Sequence, residues 1–488
     1  MKMLIAGRKV DASNNQTIDV VSPVDGEFLD TIPAATAEDV DTALRASKVG
    51  FEKWRATTLE QREVVFRRFG VLVKENLREL CVLLAKEYGK DAYSAKREFD
   101  DVVELFNGYL ETVKRLDGNI LASGGSDMEL VVHEPVGTVL VITPFNSPFH
   151  SLGYKAGAAL ASGNSVIVKP ASQDPLALIR CCELLHEAGV PGEALQVITG
   201  NGGKIGDLLT GDPRVNLITM TGSTEVGLKI ASRSFGTFLT PNALELGGND
   251  AFIVMDDGDI ELAVKMGFYT RVAQSGQICV APKRFLVHQK VIEEFTKKIV
   301  ALARDAKYGF SSDIEASVER ALNGQTPLAE DRLIGPLISE NAARKVEEQV
   351  NHTLAQGARL LHGGKRDGAF YEPTVLGGVT RDMDVAKDLE IFGPVIPIIE
   401  VESLDEAIEI TNSSIYGLNA GVFTKDWKVG MRAARRIETG TVVVNGTGCT
   451  RFPRHPFGGE KLSGVGKEGL PTLGEMVKKK LIVLKDFS

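Results

Sequence analysis

The chain of 488 residues holds two tryptophans, seven histidines and five cysteines, and each scarcity excludes something. There is no His-Glu-x-x-His run and no Cys-x-x-Cys pair, so no metal site is expected. Cys81, Cys181, Cys182, Cys279 and Cys449 are odd in number and follow no export signal. They read as free thiols in a reducing compartment. Met1 to Asp11 lacks the apolar core of a secretory leader, and no apolar run reaches the ~18 residues of a membrane span. A cytoplasmic protein without membrane attachment is expected. Positive charge is also short: 56 Lys+Arg against 65 Asp+Glu leave a net charge of −9, which suits no nucleic-acid backbone. What remains, 43% apolar and 25% charged residues, is the composition of a globular protein. The length exceeds what one core usually supports, so two or three lobes are expected.

The first 115 or so residues read mainly as helix. Thr36 with Asp39, and Thr58 with Gln61, have the spacing of helix starts in which a side-chain oxygen caps unpaired amides. Val40, Ala43, Leu44 and Phe51 follow one helical face, as do Leu77, Leu80, Leu83 and Leu84. From Val136 the pattern changes. The runs 139–142, 165–168, 195–198 and 215–218 are short, rich in β-branched residues, and each is followed by a turn and a helix-like stretch. That alternation predicts parallel strands buried on both faces in a doubly wound, Rossmann-like sheet, with ligands beyond the strands' carboxyl ends. A second α/β region begins near Gly248, with strands at 251–254 and 284–287 and a helix over about 291–307. Residues 311–332 read as a polar surface insertion, 441–444 as a buried strand, and 481–484 as a terminal strand. A lone strand cannot satisfy its own backbone groups, so the last should pair with a sheet, in this chain or in a partner subunit.

Among groups able to do chemistry, Cys279 follows small and polar residues in Gln274-Ser275-Gly276-Gln277-Ile278, which allows close approach, unlike the three cysteines inside helical apolar stretches. A buried core thiol and a nucleophile are equally open readings there, and Cys449 in another Gly-rich loop is the rival. Glu245 lies between two leucines ahead of Gly247-Gly248, as a buried general base or a salt-bridged glutamate would. Gly222 to Gly227 follows a predicted strand and opens a predicted helix, whose amides favour phosphate, but the spacing fits neither standard phosphate loop. Lys169-Pro170 closes another strand at the same sheet edge, where a lysine reaches either a ribose phosphate or solvent.

Taken together these residues resemble the aldehyde dehydrogenase superfamily, in the NAD(P)-dependent, non-acylating form. The resemblance runs through Thr143-Pro144-Phe145-Asn146, Lys169-Pro170, Thr221 to Gly227, Glu245-Leu246-Gly247-Gly248, Gly276-Gln277-x-Cys279, Glu390-Ile391-Phe392-Gly393-Pro394, and Pro456-Phe457-Gly458-Gly459 with Lys461 and Ser463-Gly464, in the family's order. It implies that Cys279 attacks an aldehyde, that Asn146 and the Cys279 amide hold the oxyanion, that hydride leaves for a nicotinamide, and that Glu245 activates the water that releases a carboxylic acid. It links Lys155 and Glu468 to proton relay or support. It implies Lys169 and Glu390 for the two riboses, and Gly222, Ser223 and Gly227 for the pyrophosphate turn. Thr143, Pro144, Phe145, Leu246 and Phe392 join the cofactor set, while Asn445 near a strand end is as well explained by a turn.

One departure concerns the cofactor. Many NAD-preferring members carry glutamate where this chain has Ser172; serine tolerates a 2′-phosphate, so NADP is the expected cofactor and NAD the alternative. The resemblance places Tyr154 and Arg451 in the substrate tunnel. Arg451 reads either as a clamp for an anionic substrate or, by a small margin, as a solvent-facing or subunit-bridging residue. Tyr154, where succinate-semialdehyde enzymes often have arginine, argues mildly against that substrate. A small hydroxy-, anionic or aliphatic aldehyde is expected. The implied architecture is a cofactor domain (1–117 and 136–247), a catalytic domain (248–447) and a small β bridging element (118–135 and 463–488) that pairs subunits into a homodimer or homotetramer. The competing readings are a coenzyme A-acylating relative, which commonly lacks the glutamate at 245, and a non-catalytic binding protein on the same fold, which would be free to lose Cys279 or Glu245. A cofactor-free cysteine hydrolase is weaker, since no histidine lies within the core motifs.

Overall fold

The computed structural model describes residues 1–121 and 127–486. Positions 122–126 and 487–488 of the expected bridging element lie outside them. Two sheets organise the chain. The first has eight strands in the order Arg8–Val10, Met3–Ile5, Leu195–Val197, Ser165–Lys169, Thr138–Ile142, Leu217–Thr221, Asn242–Glu245 and Gly464–Val465. Its five central strands are parallel, with Leu140 beside both Ile167 and Ile218. Ser165–Lys169 is buried throughout, as a strand covered by helices on both faces must be. The second sheet has seven strands, in the order Arg359–His362, Thr374–Val379, Val395–Val401, Arg284–His288, Ala251–Val254, Asn419–Phe423 and Thr441–Val444. This is the expected α/β class.

Both expected helix starts form complete capping boxes, at Thr36/Asp39 for Ala37–Arg55 and at Thr58/Gln61 for Leu59–Glu75. Each satisfies two amides that the first turn leaves unpaired. Val40, Ala43 and Leu44 are buried. Trp54 is 1% exposed and donates its indole N–H to the Leu160 carbonyl at 2.8 Å, fixing the first helix to the short helix Ala158–Ala161.

Several expectations are corrected. The first 35 residues carry four strands and no helix: Met3–Ile5 and Arg8–Val10 edge the first sheet, and Thr17–Val21 pairs with Phe28–Pro33. Helical periodicity starts only after Thr36. The strand expected at 215–218 is Leu217–Thr221, because Val215 closes a turn on Asp212. The insertion at 311–332 carries the helix Ile314–Leu322, whose Ser317, Val318 and Ala321 are buried. Its polarity came from the opposite face. Thr441–Val444 is an edge strand and only partly buried. The terminal strand is longer than expected, Val477–Leu484, and pairs antiparallel with Met128–Pro135 of the same chain. Gly464–Val465, for which no strand was expected, pairs with Leu244 and Glu245 at the edge of the first sheet.

Candidate active site

The segment leading to Cys279 is strained. Gln274 and Ser275 have φ of 49° and 55°, a left-handed backbone that side chains disfavour, and Gly276 follows at 75°. Gly276 has no alternative: a Cβ there would meet the Gly393 carbonyl oxygen at 2.2 Å. Such strain persists only where surrounding contacts over-determine it. They do here. Ser275 Oγ donates to the Gly335 carbonyl. Gln277 Nε2 donates to Tyr88 Oη at 3.3 Å, and Gln277 Oε1 accepts the Ile338 N–H at 2.9 Å. Buried Arg271 donates to the carbonyls of Val395 and Ile391, both at 2.7 Å, which anchors the facing loop.

Asn146, at the carboxyl end of Thr138–Ile142, donates one amide hydrogen to the Gln277 carbonyl at 2.8 Å. A primary amide carries two such hydrogens, so one is left for a ligand two residues from Cys279. The Cys279 N–H has no acceptor among the described residues. The Cys279 thiol is partly buried, and that burial pushes its pKa up to about 12; Lys283 and Arg451 oppose the rise while Asp250 and Glu245 add to it. Cys449 packs against the same small apolar cluster as Cys279, and its thiol lies 3.8 Å from the Val280 carbonyl. Cys81, Cys181 and Cys182 are buried in the helical core, as expected.

Glu245 ends its strand 5% exposed, and its Oε2 has no hydrogen-bond partner among the described residues. Burial, then the neighbouring Glu468 carboxylate, holds its pKa well above the ordinary value. It faces a cavity of about 20 Å³, room for about one water, shared with Tyr154, Lys155, Lys467, Glu468 and Glu475. Tyr154 and Lys155 project from a π-helical turn, Gly153–Gly157, a geometry common at functional sites. Lys155 pairs with Glu468 Oε2 at 2.7 Å, and Arg451 with Glu468 Oε1 at 2.7 Å. Burial would raise the Glu468 pKa, but these two cations bring it below the ordinary value. The Arg451 guanidinium also lies 4.1 Å from the Tyr154 ring and 3.7 Å from the Phe457 ring. It is therefore held by partners within this chain while its side chain stays 23% exposed. Its Nε is buried without a hydrogen-bond partner among the described residues.

The residues expected to bind the cofactor fall in three groups. Lys169 and Ser172 line a cavity of about 920 Å³ with Thr36, Asn201, Lys204 and Val226. Burial lowers the Lys169 pKa to about 8, and its Nζ lies 3.3 Å from the Pro170 carbonyl. Ser223 caps the 14-residue helix Thr224–Thr237, the Gly222 N–H bonds the Glu245 carbonyl at 3.0 Å, and Leu246 packs so closely on Gly227 that a Cβ there would lie 2.4 Å away. Further along, Phe145 meets Phe392 edge to face at 6.1 Å, beside Pro144 and the unpartnered Oγ1 of Thr143. Glu390 accepts the Gly248 N–H at 3.2 Å, and a Cβ at Gly247 would fall 2.5 Å from its other oxygen. A wide cavity with a buried amine, walled in part by Val226 of the helix that Ser223 caps, fits a dinucleotide. Asn445 lies elsewhere: it has a φ of 55° and its side chain accepts the Thr424 N–H, the turn role. Sequence reading missed Lys283, Asp250, Arg271 and Arg284, all buried here. Asp250, Lys283 and Arg284 were signalled only by a charge at the start of an apolar strand run, and Arg271, within the helix Ile260–Val272, by nothing local.

Comparison with known proteins agrees. A model described as the aldehyde dehydrogenase family matches residues 10–482. The 3-sulfolactaldehyde dehydrogenase of Pseudomonas putida is 36% identical over 469 residues, 95% of this chain and 93% of that protein. The NADP(+) succinate-semialdehyde dehydrogenase of Escherichia coli (strain K12) is 35% identical over 96% of this chain and 94% of its own length. The solved structure of betaine aldehyde dehydrogenase from Staphylococcus aureus in complex with NAD+ superposes with a TM-score of 0.92 at 32% identity, covering 100% of this chain and 95% of that one. No described helix is long and apolar enough to cross a membrane. The chain therefore belongs to the aldehyde dehydrogenase family and is an NAD(P)-dependent oxidoreductase that oxidises small aldehydes.

Proposed function

We propose that Cys279 is the nucleophile, Asn146 and the Cys279 amide the oxyanion donors, and Glu245 the base that activates the hydrolytic water. The observation that carries this reading is the orphaned Glu245 oxygen beside a cavity for one water, within electrostatic reach of the thiol. The thiol loses its proton and its sulfur bonds the aldehyde carbon. The unused Asn146 hydrogen and the Cys279 amide take the negative charge that develops on oxygen, which is worth about 3–4 kcal/mol per donor. Lys169, Ser172 and Glu390 would hold the dinucleotide, which would supply a hydride acceptor for this carbon. Glu245 then takes a proton from water, the hydroxyl bonds the thioester carbon, and the carbon–sulfur bond breaks to return the thiolate and a carboxylic acid. Lys155, held by Glu468, steadies the charge on the Glu245 side of the cavity.

Lys169 and Ser172 hold the adenosine ribose, with NADP preferred. Gly222, Ser223, Gly227 and Leu246 shape the pyrophosphate turn, Glu390 holds the nicotinamide ribose, and Thr143, Pro144, Phe145 and Phe392 line the path between. Tyr154 and Arg451 line the substrate side; because Glu468 already pairs with Arg451, the unpartnered Nε offers one donor to a substrate oxygen. That favours a small aldehyde carrying a hydroxyl or anionic group. The 1–117/136–247, 248–447 and 118–135/463–488 division, a homodimer or homotetramer, and a cytoplasmic location complete the reading.

Glu245→Gln should leave a burst of reduced cofactor followed by a stall, with an acyl adduct on Cys279 by intact mass. Cys279→Ser should abolish turnover. Full activity in the serine variant would overturn the assignment. Release of the acyl group only when coenzyme A is added would transfer the chain to the acylating class.

A further inference from the structure

Lys283 lies four residues beyond Cys279, and the assignments above give it no task. Its side chain is 1% exposed. Its backbone N–H donates to the Asp250 carbonyl at 2.9 Å, tying the loop to the neighbouring strand. Its Nζ donates to the carbonyl of Cys279 itself, reaches the Ala281 carbonyl at 3.5 Å, and lies 3.4 Å from Glu390 Oε1. A buried ammonium costs several kcal/mol unless it is paired, and a methionine would fill the same space without that cost. The partner carboxylate sits on a separate loop, whose Gly393 packs directly on Gly276. One cation thus ties the thiol's loop to the carboxylate assigned to the cofactor.

We propose that Lys283 is a positioning residue that links the Cys279 loop to Glu390 and supplies the positive charge that favours the Cys279 thiolate. This rests on the roles given above to Cys279 and Glu390. The charges acting on the thiol are Lys283 and Arg451, which favour the thiolate, and Asp250 and Glu245, which oppose it; Lys283 is foremost among the first pair. Glu390 competes with the thiol's loop for the ammonium. Any ligand hydroxyl that draws Glu390 away leaves more of the positive charge to the sulfur.

The test uses cofactor-free protein and iodoacetamide, with the site of alkylation located by mass spectrometry. Below the thiol's pKa the rate follows the thiolate fraction. Removing an adjacent cation lowers that fraction about tenfold. The higher nucleophilicity of the more basic sulfur returns part of this, leaving alkylation at pH 8.5 slower by about fourfold. Lys283→Met should show that loss, Lys283→Arg should stay near the wild-type rate, and Glu390→Gln should be faster. An unchanged rate in Lys283→Met overturns the proposal, as does an arginine variant as slow as the methionine one. If the methionine variant does not fold, the arginine and Glu390→Gln rates decide, and an unmoved Glu390→Gln rate removes the link. Alkylation of Cys279 in the wild type together with an active Cys279→Ser variant would instead overturn the catalytic assignment and leave the electrostatic one standing.

Discussion

Replacing Ser172 by glutamate tests cofactor recognition most directly. Ser172 Oγ donates to the Gly200 carbonyl at 3.1 Å and forms part of the wall of the 920 Å³ cavity with Lys169 and Lys204. With a pKa of about 8, Lys169 is mostly cationic at pH 7 and suits a phosphate. A carboxylate introduced at 172 would add a negative charge to the wall proposed to face the 2′-phosphate, and two unit charges about 5 Å apart repel by about 3 kcal/mol at an effective dielectric near 20. The cavity is open, so salt screening trims this to about 1.5–3 kcal/mol. That predicts a loss of about ten- to a hundredfold in kcat/KM for NADP. NAD, with ribose hydroxyls that the new carboxylate can accept from, should hold level or improve. Initial rates at 340 nm with both cofactors and one saturating aldehyde give both numbers. A fall of less than about threefold for NADP, or a wild type that strongly prefers NAD, would refute the placement of the phosphate beside residue 172.

Asn146→Ala should lower kcat by about a hundredfold with little change in aldehyde KM, since its donor acts on charge that develops only in the transition state; a KM effect alone would contradict that. Wild-type turnover should rise with pH through a limb well above the ordinary carboxylate range, because a base acts only when ionised and burial raises the Glu245 pKa. Glu245→Gln should lose that limb, and a profile flat below pH 6 in the wild type would count against Glu245 as the base. Arg451→Ala should slow oxidation of hydroxylated or anionic aldehydes more than aliphatic ones; equal losses would leave Arg451 only as the partner of Glu468. Arg284 is 2% exposed and donates to the carbonyls of Asn249, Ala386, Ile410 and Thr411, so Arg284→Met should cost about 3 kcal/mol or more by leaving them unpaired. An apparent Tm within about 1 °C of wild type would refute this.

The sequence by itself determined what depends on neighbours along the chain. The parallel strands 138–142 and 165–169 were legible because apolar β-branched runs of that length leave no polar face. The starts at Thr36 and Thr58 were legible because a capping box spans only four residues. Cys279, Glu245 and Asn146 were visible as motifs, through the order and company of residues that a family resemblance reads. Tertiary structure decided whatever depends on groups far apart in sequence. Met3–Ile5 forms because the edge of the first sheet at Val197 supplies a partner, and Thr17–Val21 and Phe28–Pro33 form by pairing with each other, against a weak local pattern. The terminal strand found Met128–Pro135 within its own chain. Arg451 became an internal ion pair because Glu468 and two aromatic rings converge on it. Lys283 could not be told from a surface lysine until folding brought Glu390, 107 positions away, to within 3.4 Å. Charge in a low-dielectric interior is settled by which partners arrive, and those partners are set by the packing of the two sheets.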